Sequence, residues 1–191
     1  MEQRKKFIDI FLAKNSQLNL SAIRDQSWVY DKHIRDAIEL TTFWQIPKWC
    51  LVADLGTGGG IPLLPLAIAN PDVQFVWIDG TQKKITAIND MIIQLWISNC
   101  KAIWSRGEDL GMEFDVVMAR AVAYVDKLIP VIDNLISKWW YIVLYKLDNL
   151  TEYEDMKIIL RKYKMKLTKK HPYKLFDNDI SRIIYIIQKI W

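Results

Sequence analysis

The sequence predicts an α/β protein: an open, doubly wound, Rossmann-like sheet of about seven strands with a short helical cap at its N-terminus. Three observations predict it. Apolar runs alternate with segments of helical spacing through the middle of the chain. Runs such as "VQFVWI" and "YIVLY" are nearly continuous in apolar residues, and a glycine-rich turn follows the apolar run at 50–55. Strands without in-out alternation are buried on both faces, as in a parallel sheet covered by helices. At 191 residues, 51% of them hydrophobic, the chain can bury a continuous core, and a single domain over 1–191 is expected.

Within it, residues 1–45 are expected to form the cap and 46–191 the sheet. Residues 2–14 and 28–44 carry helical spacing, with Val29, Ile34, Ala37, Ile38 and Phe43 near one face. The alternation then reads strand 50–55, helix from 61, strand 73–79, helix 81–97, strand 100–104, strand 114–119, helix 125–137 and strand 140–146. After a charged helix near 151–163, "MKLTKK" and "SRIIYIIQKI" read as two closing strands able to form a hairpin.

The composition excludes several classes. Charged residues or Pro interrupt every apolar stretch before about 18 residues, too short for a spanning helix, and "MEQRKKFIDIF" lacks a signal-peptide cleavage pattern. A cytoplasmic protein without membrane contact is expected. Cys50 and Cys100 lie in apolar runs at no metal-ligand spacing, and two histidines are too few for a zinc site, so no metal is expected. The net charge of +4 is modest, but "KIILRKYKMKLTKKHPYK" (157–174) holds eight Lys or Arg and no acid. Such a run suits either a polyanionic partner or a solvated lysine-rich face.

The informative stretch is "CLVADLGTGGGIPLLPLAIANP", residues 50–71. A P-loop requires Gly-Lys-Ser/Thr after its turn, whereas Gly60 is followed by Ile61 and Pro62. A dinucleotide fingerprint requires a sixth-position glycine, and counting from Gly56 that position is Ile61. What remains is Asp54-x-Gly56-x-Gly58-x-Gly60, the spacing of class I S-adenosylmethionine-dependent methyltransferases. Glycine permits the strand-to-helix turn and close backbone approach, and amides at a helix start face an anion. Asp79, closing "VQFVWID", offers two acceptors for ribose hydroxyls at the end of the next strand. S-Adenosylmethionine, leaving as S-adenosylhomocysteine, is therefore the expected cofactor.

From residue 18 onward the chain resembles the bacterial small-subunit ribosomal RNA guanine-N7 methyltransferase family, also called the glucose-inhibited division B family. The resemblance is carried, in order, by "LNLSAIRD" (18–25), "KHIRDAIEL" (32–40), "DLGTGGGIPLLPLAIANP" (54–71), "SRGEDL" (105–110), "FDVVMARAVA" (114–123) and "YKL" (145–147). It implies methylation of guanine N7 in small-subunit (16S) ribosomal RNA, with ribosomal RNA or the ribosomal subunit as partner and the enzyme acting as a monomer. It implies a cofactor pocket lined by Gly56 and Ile61, with Gly107 and Glu108 flanking the adenine and Arg120 at the face between cofactor and substrate. With Asp54, Thr57, Gly58, Gly60 and Asp79, these make up the expected cofactor-binding set.

The residues themselves permit this reading and leave alternatives. Glu108 can read an adenine edge or can simply favour a helix start. Arg120 ends a buried strand at the edge where ligands of open α/β sheets bind, and takes either an anionic ligand or an ion pair with Asp115 or Asp126. Guanine N7 has an in-plane lone pair and no proton, so no general base is expected and catalysis rests on alignment. Arg120 and Lys146 are the substrate-positioning candidates. Lys32, His33 and Arg35, neighbours on the cap helix, join Lys146 as RNA-binding candidates, although a lone histidine on an amphipathic helix is often a packed residue. Other readings stay open: a methyltransferase of small molecules or proteins, or a noncatalytic module that binds adenosylmethionine or RNA.

Three departures from the family stand out. About one N-terminal helix of the usual pattern is missing, and Leu63 and Leu147 replace familiar glycines. Nine Trp against seven Gly is an inverted ratio. Trp49, Trp96, Trp139 and Trp140 stand where the family carries glycine, which suggests UGA codons that mean glycine in the source. A tryptophan cannot replace glycine freely where φ is positive.

Overall fold

The segment Gln82–Leu95 shows how sequence becomes packing here. Its Ile85, Ile88, Met91, Ile92 and Leu95 recur at helical spacing, and all are buried. The computed structural model describes residues 2–56, 58–175 and 181–190. Their helices are α1 (Glu2–Leu18), α2 (Gln26–Val29), α3 (Asp36–Ile38), α4 (Leu63–Ala69), α5 (Gln82–Leu95), α6 (Val125–Asp133) and α7 (Leu150–Lys162). The strands are β1 (Leu51–Leu55), β2 (Gln74–Asp79), β3 (Cys100–Trp104), β4 (Phe114–Arg120), β5 (Ile136–Leu147), β6 (Met165–Lys174) and β7 (Ser181–Lys189).

The seven strands form one sheet in the order β3-β2-β1-β4-β5-β7-β6. β1 to β5 are parallel, and the antiparallel hairpin β6-β7 docks through β7 on β5. The order reverses between β1 and β4, which opens a crevice beyond their C-terminal ends. The doubly wound fold read from the sequence is the one observed, closing hairpin included.

Strand periodicity divides the core. Val52, Phe75, Trp77, Val116 and Met118 pack on the face shared with the cap, α4 and α5. Ala53, Val76, Ile78, Val117 and Ala119 face the opposite layer, which includes Val125, Leu128, Ile129 and Ile132 of α6. Trp77 is fully buried, and its truncation to Ala would cost roughly 3–5 kcal/mol. This parity fixes where polar residues at strand ends point. Arg120 continues Val116 and Met118 toward the cap, while Lys146 continues Ile142 and Leu144 toward α7.

Four elements differ from their sequence expectation. The helix expected over 28–44 is composite: α2, a wider π-helical turn at Tyr30–Arg35, α3, then a 3₁₀ turn at Glu39–Thr42. The first helix continues to Leu18 rather than ending at 14, and α6 stops at Asp133 rather than 137. β5 begins at Ile136, earlier than expected, because its register against β4 jumps from Phe114↔Ile136 to Val116↔Tyr141. The extra residues form a bulge containing Trp139.

That bulge bears on the tryptophan excess. Trp49, Trp96 and Trp139 have φ of 65°, 58° and 71°, whereas Trp140 is absent from the positive-φ set. Trp96 is the left-handed cap of α5: its amide donates to the Ile93 carbonyl, and the Ile97 amide to the Ile92 carbonyl. This is the arrangement in which helices favour glycine.

Candidate active site

The crevice at the strand switch holds two cavities, one on each side of the glycine-rich turn. The first, of about 430 Å³, is lined from β1 by Leu55 and Gly56, from β2 by Ile78, Asp79 and Gly80, and after β3 by Ser105–Glu108. Val122, Ala123, Lys127, Leu128 and Val131 complete it from β4 and α6. Parallel register brings these parts together, since Leu55 stands beside Ile78 and Ala119, and Asp79 beside Trp104. The turn is anchored by the Gly56 amide, which donates to the Ile78 carbonyl at 2.9 Å.

Asp79 is the buried carboxylate of this cavity, 8% exposed. Its Oδ1 accepts from the Thr81 amide at 2.8 Å, and Oδ2 lies 3.5 Å from Lys84 Nζ. Both contacts orient the carboxylate and leave further acceptor capacity. Two glycines shape the walls. A Cβ on Gly107 would meet Val131 at 2.9 Å, and one on Gly56, where φ is +61°, would meet Val122 at 3.3 Å. A concave site with one buried carboxylate and exposed backbone fits an adenosyl group, with Asp79 toward its ribose.

The other expected cofactor residues are placed differently. Asp54 is fully buried within β1 and lines neither cavity, because strand alternation turns it from the side taken by Leu55. Gly58 and Gly60 have positive φ but serve packing. A Cβ on Gly58 would lie 3.0 Å from the Leu20 carbonyl oxygen, and one on Gly60 would lie 2.9 Å from both Ile88 and Leu64. Thr57 lies outside the described residues. Ile61 and Arg120 line the second cavity.

That second cavity, of about 130 Å³, is walled by Phe11, Leu20, Ser21 and His33 of the cap region together with Gly59, Ile61, Arg120 and Ala121. Ala121 has φ of 54°, a left-handed kink immediately after β4. It separates Arg120, on the cap side, from Val122 and Ala123 in the first cavity. The Arg120 ion pair is with Asp36 of the cap, rather than with Asp115 or Asp126: Nε lies 3.0 Å from Oδ2 of a carboxylate with no exposed surface. Its Nη2 donates to the Lys32 carbonyl at 3.1 Å and lies 3.3 Å from His33 Nδ1. Asp36 Oδ1 accepts from the Tyr173 hydroxyl at 2.6 Å. This network joins three distant segments.

His33 is neutral in it. Burial, and then the charge of Arg120, lower its pKa to about 3. Its Nε2 is 2.9 Å from Ser21 Oγ, which also accepts from the Ile23 amide. Its Nδ1 lies 3.3 Å from Arg120 Nη2 and 3.1 Å from the Lys32 carbonyl oxygen. His33 is consequently not a cation for phosphates, and the expected basic face of Lys32, His33 and Arg35 is not one face. His33 points inward, Arg35 is exposed, and the Lys32 ammonium sits 3.5 Å above the Trp28 ring. Lys146 is also turned inward, its Nζ 2.6 Å from both Glu152 Oε1 and the Ala123 carbonyl. It supports the wall of the first cavity.

Asp36 and Tyr173 were not singled out from the sequence. The available signal for Asp36 was an acid between Ile34 and Ala37 on the buried side of the cap; Tyr173 gave none beyond its place in the basic run. Four exposed lysines of that run, Lys166, Lys169, Lys170 and Lys174, lie on β6, the edge strand. Burial raises the pKa of both thiols, Cys50 to about 12, which suits core residues rather than nucleophiles. Among the described residues no helix is long and apolar enough to cross a membrane.

Comparison with known proteins fixes the lineage. The family model described as "GidB: rRNA small subunit methyltransferase G" matches residues 1–178. The chain belongs to the GidB family. A family member from Lachnoclostridium phytofermentans, named ribosomal RNA small subunit methyltransferase G, is 32% identical over 197 residues, covering 100% of this chain and 81% of its own. A namesake from Lysinibacillus sphaericus is 32% identical over 195 residues, covering 98% and 82%. Among solved structures, the ribosomal protein L11 methylase of Lactobacillus delbrueckii subsp. bulgaricus superposes with a TM-score of 0.64 at 17% identity, over 84% of this chain and 80% of that one. That likeness concerns the fold, which is the class I methyltransferase fold in this GidB protein.

Proposed function

We propose that this GidB protein methylates guanine N7 in small-subunit (16S) ribosomal RNA with S-adenosylmethionine as donor. The single observation that carries the reading is the first cavity, where a buried carboxylate at the end of β2 and glycine-shaped walls after β1 and β3 meet in a chain of this family. In that cavity Asp79 would accept from the ribose hydroxyls, the backbone at Gly107 and Glu108 would read the adenine, and Gly56 would admit the methionine end. When bound, the donor supplies an electrophilic methyl group on a sulfonium.

The chain's own residues then have to exclude water and align the acceptor. The cap closes one side of the turn through Phe11 and Leu20. Arg120 holds the boundary between the cavities as a fixed cation, and neutral His33 adds no second charge there. A lone pair at N7 needs no proton removed, which agrees with a site whose one imidazole is buried and neutral. Cap and sheet would act as one domain over 1–191, as a cytoplasmic monomer, with the exposed lysines of β6 available to RNA phosphates.

Transfer of labelled methyl to small-subunit RNA from cells lacking this modification, followed by N7-specific cleavage, tests the reading. One labelled guanine is expected. Labelling confined to small molecules or protein, or donor binding without any transfer, overturns it.

A further inference from the structure

We propose that Asp36 and Tyr173 are positioning residues for Arg120, so that the C-terminal hairpin sets the guanidinium at the active site; this rests on the reading that Arg120 serves the transfer face. The geometry is unusual for an ion pair of convenience. The carboxylate has no exposed surface, the Arg120 side chain is 11% exposed, and each Asp36 oxygen has a different partner: Tyr173 Oη at 2.6 Å and Arg120 Nε at 3.0 Å.

The Oδ2 contact is an ion pair without a well-directed hydrogen bond. The plane of the guanidinium is thus shared between Asp36 on one side and the Lys32 carbonyl and His33 on the other. The hydroxyl of Tyr173 fixes the carboxylate, and the carboxylate fixes the cation. A flexible arginine would sample many rotamers, whereas this one is held before any substrate arrives. Tyr173 belongs to the basic edge strand and pairs across to Arg182, so the support comes from a part of the chain remote from both cavities.

The test uses the full chain with Tyr173→Phe, Asp36→Asn and the double variant. Each is measured for kcat and KM with unmodified small-subunit RNA, S-adenosylhomocysteine affinity, melting temperature and the NMR exchange rate of the Arg120 Nε proton. Asp36→Asn is expected to lower kcat about 100-fold and Tyr173→Phe about 5-fold, with KM for RNA little changed. The double variant should be no worse than Asp36→Asn alone, and both single variants should speed exchange at Arg120 Nε. A Tyr173→Phe protein with unaltered kcat and unaltered exchange overturns the proposal, as do fully additive effects. If the wild-type chain transfers no methyl to RNA, the functional reading fails, while the exchange rate still decides the wiring.

A different observation carries a second inference. Trp49, Trp96 and Trp139 combine positive φ with exposures of 81%, 85% and 60%, a conformation costly for an indole-bearing residue and rings that gain little by burial. We infer that these three positions are glycine in the native protein, encoded by UGA that the source reads as glycine. Trp140 lacks the backbone signature and is not included. Reading the codons and the masses of the corresponding native peptides decides it. UGA with glycine-mass peptides is expected; UGG at these positions, or tryptophan in the peptides, overturns it.

Discussion

The two cavities flanking the glycine-rich turn are built by opposite means. The first is local chemistry repeated along a sheet edge: each strand ends, and its next few residues supply a wall or the single carboxylate. The second is assembled from α1, the cap, the glycine-rich turn and the end of β4, and its Arg120 is held by Asp36, which Tyr173 of the edge strand β6 contacts from behind. The first leaves acceptor capacity for a ligand. The second spends its capacity on holding Arg120. The difference teaches that a strongly polar cluster beside a site can be its frame rather than its binding surface.

Removing the first cavity's only buried carboxylate should have the largest effect. Asp79→Ala is expected to weaken S-adenosylhomocysteine binding about 10- to 100-fold by calorimetry. Unaltered affinity would mean that the cavities do not divide the work as described.

The wall between the cavities offers the next test. A Cβ on Gly59 would sit 2.7 Å from Phe11 Cε2, inside the packed cap. Gly59→Ala should cost roughly 1–3 kcal/mol of stability, and adding Phe11→Leu should recover part of it. Gly111, at φ +60° with nothing within 4 Å of its Cβ position, is the control. Gly111→Ala meets backbone strain without a clash, so Phe11→Leu should give it no relief. Denaturant midpoints read both.

The smallest effect concerns charge in the second cavity. His33 titrates at about 3 when folded, against 6.5 for an unperturbed histidine. Between those values the unfolded chain binds a proton that the folded chain does not. Its contribution to stability is therefore whole above about pH 6.5 and falls as the pH drops, by at most about 1.4 kcal/mol per pH unit. Melts from about pH 7 to about pH 5 should show a slope that His33→Gln flattens. An unchanged slope would move the histidine out of the buried network.

The alternation of buried strands and amphipathic helices, the turn at Gly56–Gly60 and the acid at Asp79 were legible because each depends on neighbours within about ten residues. Family spacing also marked Trp49, Trp96, Trp139 and Trp140 as glycine positions, and only the backbone set Trp140 apart from the other three. The turn's spacing did not reveal that Gly58 and Gly60 pack against Leu20, Leu64 and Ile88 while Gly56 alone of the three faces the first cavity. That follows from which way each Cα points after folding.

By itself, then, the sequence determined the sheet, its crevice and the carboxylate at the end of β2, because hydrophobic period and turn chemistry are local. Only tertiary structure decided that Arg120 pairs with Asp36, that Tyr173 orients that carboxylate from 137 positions away along the chain, and that His33 is buried neutral. Those outcomes depend on strand parity, on the left-handed kink at Ala121 and on desolvation beneath the cap. None of these exists until distant segments meet.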